Sequence, residues 1–152
     1  VGNATIHADA HTSGNGGTVS IWSTGTTRFA GTVTATGGSK SGNGGMVETS
    51  GHLLSVEPTA SVSTTAAQGT RGDWLLDPLN LTIVDDPSLP NPLVNGTLPY
   101  NFCGSCNSTI SAQVVVQALT TTDVTLQAFD DIFVNAAISS GAGHTLMLDA
   151  GC

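Results

Sequence analysis

The segments Ser13-Gly-Asn-Gly-Gly-Thr-Val19 and Ser41-Gly-Asn-Gly-Gly-Met-Val47 repeat nearly the same seven residues, 28 positions apart. Val33 lies halfway between the two valines that end them. Each valine lies in a short run that alternates β-branched with other residues, which is typical of strands. Glycine adopts positive φ without steric cost, so each Gly-Asn-Gly-Gly cluster predicts a tight corner. Fixed spacing of strands and corners favours a stack of parallel coils, each of about 28 residues, over a β-sandwich.

The domain organisation follows from where this pattern is interrupted. Four of the six prolines lie between residues 85 and 100, and proline cannot donate a hydrogen bond to a regular sheet. We therefore predict β-helix coils over 1–84, a Pro-rich loop insertion over 85–107, and coils over 108–152 that continue the same single domain. Ser111 is a suitable N-cap for one short helix. The predicted fold class is all-β, a parallel β-helix.

Three alternating runs after the insertion predict further strands, over residues 123–128, 131–136 and 145–150. Neither end of the chain has the polar character of a cap, so both ends are expected to expose strand edges. Such edges predict head-to-tail self-association into filaments. The residues predicted to face inward are Val124, Leu126, Ile132, Val134, Leu146 and Leu148.

Composition excludes several function classes. The 152 residues carry a formal net charge of −8, with three Lys and Arg against eleven Asp and Glu, so no basic surface exists to bind nucleic acid. No run approaches the roughly 20 apolar residues that a transmembrane helix requires. The chain begins at Val1, which predicts a processed or excised segment. An acidic, lysine-poor chain suits an extracellular protein.

Three cysteines are present. Cys103 and Cys106 form a CxxC pair, for which a local disulfide, half of a metal site and a redox pair are all candidates. The disulfide is favoured because no second ligand pair has zinc-site spacing and the surroundings resemble a loop. Cys152 is left over, and it is a candidate for an intermolecular disulfide.

Two longer motifs carry a family resemblance. Residues 42–51 (Gly-Asn-Gly-Gly-Met-Val-Glu-Thr-Ser-Gly), followed by 72–78 (Gly-Asp-Trp-Leu-Leu-Asp-Pro) and 81–83 (Leu-Thr-Ile), resemble the large exoproteins related to filamentous haemagglutinin. The strands over residues 123–150 resemble the next coils of those proteins. The resemblance implies a right-handed β-helix shaft of a bacterial surface adhesin, exported by two-partner secretion through an outer-membrane partner. It also implies a role in adhesion, aggregation or matrix building, with a host-cell or matrix receptor.

Several residues are candidate sites, each against a structural alternative. His7, Asp9 and His11 alternate along one strand face and are candidate metal ligands, although a polar outward face is the simpler interpretation. The tripeptide Arg71-Gly72-Asp73 is a candidate receptor motif, although its position before Trp74 favours a structural role. The candidate N-glycosylation sites, each in an N-x-Ser/Thr triplet, are Asn3, Asn80, Asn95 and Asn107.

Catalytic signatures were also sought. The sequence has no nucleophile elbow, no zinc-binding His-Glu-x-x-His and no phosphate loop, and it indicates neither a catalytic residue nor a cofactor. A non-enzymatic structural protein is therefore predicted. Carbohydrate binding, with Trp22, Phe29 and Tyr100 as candidate stacking residues, is an alternative, and polysaccharide cleavage by paired carboxylates is a weaker one.

Overall fold

The computed structural model describes residues 4–86, 107–141 and 143–151. This part of the chain is mostly strand, with one short helix, as the sequence predicts. The helix α1 spans Ala112–Ala118. The strands are β1 (Thr5–His7), β2 (Thr18–Phe29), β3 (Thr32–Thr34), β4 (Met46–Val56), β5 (Ser61–Ser63), β6 (Asp73–Pro78), β7 (Leu81–Val84), β8 (Ser108–Ser111), β9 (Asp123–Ala128), β10 (Ile132–Val134) and β11 (Leu146–Ala150).

The strand pairs of the described residues are parallel, and their register reproduces the repeat in the sequence. Thr18 of β2 pairs with Met46 of β4, and Met46 pairs in turn with Asp73 of β6. A separate three-stranded sheet, β1-β3-β5, pairs Thr5 with Thr32 and Thr32 with Ser61. Parallel strands joined at a nearly constant interval are therefore the basic unit of this fold.

Two long strands, β2 and β4, each contribute to two arms of one nearly closed, barrel-like sheet. The first arm runs in the order β2, β4, β6, β9, β11. The second arm runs in the order β2, β4, β8, β7, β10. The last strands of the two arms, β10 and β11, contact each other.

Strand β8 lies out of chain order, between β4 and β7. Its Thr109 pairs with Ser55 on one side and with Thr82 on the other. The segment that follows the predicted insertion thus inserts into the existing second arm before the chain continues. This arrangement was not predicted from the sequence.

The core lies between the arms and consists of matched columns of apolar side chains. Val47, Trp74 and Val124 occupy one column of the first arm, and all three are buried. Trp74 donates a hydrogen bond from Nε1 to Thr49 Oγ1 at 3.0 Å and packs edge-on against Phe29, with ring centroids 5.9 Å apart. Because the repeat aligns large apolar residues, successive strands bury a continuous core.

The predicted helix is confirmed, including its cap. The Ser111 hydroxyl accepts a hydrogen bond from the Gln113 backbone N–H at 3.2 Å, which satisfies a donor in the first turn. After the helix, Thr121 joins this segment to the third sheet, because its carbonyl accepts from Thr64 N and its hydroxyl donates to the Val62 carbonyl. The helix therefore packs beside β5.

The predicted inward residues are only partly confirmed. Val124 and Leu126 are buried, but Val134 is 51% exposed and Leu148 is 44% exposed, so their predicted burial is wrong. Both residues align with inward-facing columns, yet β10 and β11 are the last strands of their arms within the described residues. The exposure arises because no described strand covers them.

Candidate functional site

The strand face predicted to bind metal is a hydrogen-bonded polar cluster. Asp9 accepts from Thr34 Oγ1 at 2.6 Å, from Thr36 N at 2.8 Å and from Thr36 Oγ1 at 2.8 Å. His7 Nδ1 lies 2.8 Å from Thr34 Oγ1 and 3.3 Å from an Asp9 oxygen. Burial raises the pKa of Asp9, but the hydrogen bonds from Thr34, Thr36 and His7 outweigh burial and leave the pKa below its ordinary value.

His11 does not complete this cluster as a metal site. Its backbone carbonyl accepts from the Ser39 hydroxyl at 3.3 Å. Among the described residues, no group of three or more His, Cys, Asp or Glu side chains is placed to hold a metal ion. Asp9 instead joins the segment after β1 to the segment after β3, which is a structural role.

The Arg71-Gly72-Asp73 tripeptide lies within the sheet and not at an exposed loop tip. The Gly72 N–H donates to the Thr64 carbonyl at 2.9 Å, and its own carbonyl accepts from Asp123 N at 3.0 Å. A Cβ atom on Gly72 would lie only 1.7 Å from a neighbouring backbone oxygen. Since both polar groups of the glycine are used in the fold, a receptor cannot bind this backbone without local unfolding.

The two flanking residues of the tripeptide are also held. Arg71 is half-buried, and its guanidinium donates to the Leu119 carbonyl at 3.4 Å and contacts the His144 imidazole. The Asp73 N–H donates to the Gly45 carbonyl at 3.2 Å. The arginine thus joins the end of α1 to the segment before β11.

The candidate glycosylation sites differ in their surroundings. The Asn80 side chain accepts from Asp131 N at 3.1 Å and donates to Asp130 at 3.3 Å, so a glycan on its nitrogen would disrupt this turn. Asn107 is exposed directly before β8. Asn3 and Asn95 lie outside the described residues.

The cysteines also lie outside the described residues, so the predicted Cys103–Cys106 pair and the intermolecular role of Cys152 remain predictions. The three candidate stacking aromatics do not form one platform in the part that is described. Trp22 is 65% exposed, but Phe29 is 5% exposed and belongs to the core, which makes its prediction as a sugar-binding residue wrong. Tyr100 lies outside the described residues.

Two carboxylates that the sequence analysis did not associate are neighbours in the sheet. Asp73 of β6 pairs in register with Asp123 of β9. Burial raises the pKa of Asp73, the negative charge of Asp123 raises it further, and hydrogen bonds from Thr125 and the Trp74 backbone oppose the shift. The pKa of Asp77 is also raised, first by burial and then by the charge of Glu48.

Replacing Asp73 by asparagine is expected to stabilise the fold at pH 7. Because the folded-state pKa lies above the unfolded value of about 3.9, the ionised carboxylate destabilises the fold at neutral pH, and this cost disappears as the pH falls through both pKa values. Thermal unfolding of Asp73→Asn should therefore give a higher Tm than the parent chain at pH 7. The difference should disappear near pH 3.

The matched control is Asp149→Asn on the exposed strand β11, which makes the same change in net charge. It should change the Tm less than Asp73→Asn does at pH 7. A lower Tm for Asp73→Asn at pH 7 would show that the hydrogen bond from Thr125 outweighs burial and repulsion.

A small cavity lies between α1 and β5, lined by Val62, Trp74 and Ala118 among others. Its volume is about 60 Å³. Small-molecule sites usually occupy roughly 300 Å³ or more, whereas this cavity holds about two water molecules. It is therefore a packing gap beside the helix, too small for a sugar or a cofactor.

No helix in the described residues is long and apolar enough to span a membrane. Neither a protein-family model nor a curated protein sequence matches the chain. The fold and surface define a mainly-β protein built from parallel strands whose turns and columns repeat.

Proposed function

We propose that this chain is a non-enzymatic extracellular structural protein, a segment of the right-handed parallel β-helix shaft of a bacterial surface adhesin. The observation that carries the proposal is the parallel register, which joins equivalent positions about one sequence repeat apart in both arms and in the third sheet. A chain that returns to a parallel neighbour at a constant interval is coiling. Parallel crossovers are right-handed in about 98% of cases, which supports the proposed hand.

The repeated turns support the same proposal, because they stack on one another. The side-chain oxygen of Asn15 accepts from Asn43 N at 2.8 Å, and the side-chain oxygen of Asn43 accepts from Thr70 N at 3.1 Å. These bonds span 28 and 27 positions, respectively. The asparagine in each Gly-Asn-Gly-Gly turn thus joins its own coil to the next, and the sequence repeat has a direct structural use.

The glycines of these turns leave no room for side chains between coils. A Cβ atom on Gly42 would lie 1.9 Å from the Gly14 carbonyl oxygen, and one on Gly45 would lie 2.0 Å from the Gly17 oxygen. Turns that contact backbone to backbone are rigid, and a shaft requires such rigidity. They contain no group suited to catalysis.

The surface supports a scaffold more than an enzyme or a sugar-binding module. The described residues provide no metal cluster, and the cavity beside α1 is too small for a substrate. The export route by two-partner secretion rests on the family resemblance of residues 42–51 and 72–83, as does the role in adhesion.

The experiment is surface labelling of intact bacteria that make this protein. An antibody against the chain should label cells without permeabilisation, and deletion of the outer-membrane secretion partner should abolish the label. A cytoplasmic protein serves as the control for cell integrity. Label that appears only after permeabilisation would contradict the proposed location.

A further inference from the structure

The two ends of the sheet expose complementary surfaces. At one end, β10 and β11 leave apolar side chains uncovered, and we call this the acidic end. At the other end, β2 leaves Val19 and Ile21 partly buried above the same core, and we call this the basic end. The exposed apolar residues of the acidic end are Phe133, Val134, Met147 and Leu148.

Both ends are level, because the out-of-order strand β8 makes the arms equal in height. Within the described residues the first arm and the second arm contain five strands each. Without β8 the second arm would contain four. At the basic end, the single strand β2 forms the edge of both arms. A second β2 can therefore meet β11 with its first half and β10 with its second half.

The apolar columns continue across such a junction. Val19 and Leu146 lie at opposite ends of one column of the first arm, and Ile21 and Leu148 lie at opposite ends of the next inward column. Stacking β2 on β11 in the same register covers each exposed residue of the acidic end with an apolar residue. The alignment requires no change in either strand.

The charges of the two ends are complementary. Residues 4–45 include Arg28 and Lys40, two of the three basic residues in the chain, and Asp9 is their one carboxylate. Residues 123–151 contain no Lys or Arg. Like ends therefore repel each other, whereas opposite ends attract. The carboxylates of this second segment are Asp123, Asp130, Asp131 and Asp149.

We propose that the acidic end of one chain binds the basic end of a second copy, with β2 pairing in parallel register on β11 and β10. This inference rests on the coiled architecture of the proposed function and adds a partner to it. Contact between opposite ends of the chain does not close on itself, so the product is a linear polymer.

The test uses two variants that each block one end. Leu148→Lys places a cation among the apolar residues of the acidic end, and Ile21→Lys does the same at the basic end. Sedimentation velocity of the parent chain, with reductant present to exclude disulfide links, should show an average mass that rises with protein concentration. Each variant alone should weaken association by roughly tenfold or more. Met46→Lys, at an exposed position on the inner strand β4, is the control and should associate like the parent.

A mixture of the two variants gives the sharpest result. The Leu148→Lys chain retains an intact basic end and the Ile21→Lys chain retains an intact acidic end, so an equimolar mixture should form heterodimers and nothing longer. Circular dichroism checks that each variant is folded, and Val134→Lys replaces Leu148→Lys if that variant unfolds. A folded parent chain that stays monomeric, or an oligomer that both variants leave unchanged, overturns the proposal. Neither result would affect the proposed shaft.

Discussion

Replacement of Trp74 by alanine is expected to lower the stability of the fold by about 3 to 5 kcal/mol, the usual cost of removing a fully buried aromatic side chain. The indole is 1% exposed, contacts the Phe29 ring and donates to Thr49 Oγ1. For a chain of this length the loss corresponds to a decrease in Tm of roughly 6 to 20 °C. Thermal unfolding followed by circular dichroism measures it.

The chain provides a matched control in its other tryptophan. Trp22 is 65% exposed, so Trp22→Ala should change the stability by no more than about 0.5 kcal/mol. The Trp22→Ala variant also isolates the fluorescence of Trp74, which should shift to longer wavelength on unfolding. Equal Tm values for the two alanine variants would contradict the assigned core.

Replacement of Gly42 by alanine is expected to cost about 3 kcal/mol or more, for two separate reasons. Gly42 has a φ of 119°, which disfavours any side chain, and its added Cβ would lie 1.9 Å from the Gly14 carbonyl oxygen. That oxygen belongs to backbone in the stacked turn and cannot move aside alone. Thermal unfolding should show a large decrease in Tm.

Two control glycines separate these causes. Gly14 is the equivalent residue of the first repeat and has a φ of 121°, but the nearest atom to its added Cβ is 3.9 Å away. Gly14→Ala should therefore show the cost of backbone strain alone. Gly25 in β2 has nothing within 4 Å, and Gly25→Ala should be close to neutral. If Gly42→Ala and Gly14→Ala were equally destabilised, the turns would not stack as described.

Much of the fold could be predicted because it is local or repeated. The alternation in each run predicted β9, β10 and β11, and the cap at Ser111 predicted α1. Register followed from the repeat, since Val19 does pair with Val47. Val33, at half the interval, belongs to the separate sheet β1-β3-β5, which is consistent with more than one strand per repeat.

The features that were missed depend on contacts between distant residues. Nothing in the sequence near Thr109 indicates that β8 inserts between β4 and β7. The pairing of Asp73 with Asp123 was equally hidden, because the repeat is interrupted between them. The burial of Val134 was predicted wrongly because alternation indicates which way a side chain faces and says nothing about what covers it.

The candidate site was harder to predict than the fold, since short motifs carry little information about their surroundings. Arg71-Gly72-Asp73 has the sequence of a receptor motif, but its backbone is used in the sheet. His7 and Asp9 do approach each other, at 3.3 Å, yet the threonines on the neighbouring strand segment engage the carboxylate. Only the three-dimensional neighbours distinguish these structural roles from binding roles.

The most direct test of the coiled architecture is the removal of one whole repeat. Deleting residues 18–45 joins Gly17 to Met46, which takes the register position of Thr18. We predict that this variant folds and unfolds in a single cooperative transition, with parallel-sheet circular dichroism like the parent. Deleting residues 18–31, half a repeat, should abolish that transition because it displaces every later strand from its column. Loss of folding in both variants, or its retention in both, would contradict the account.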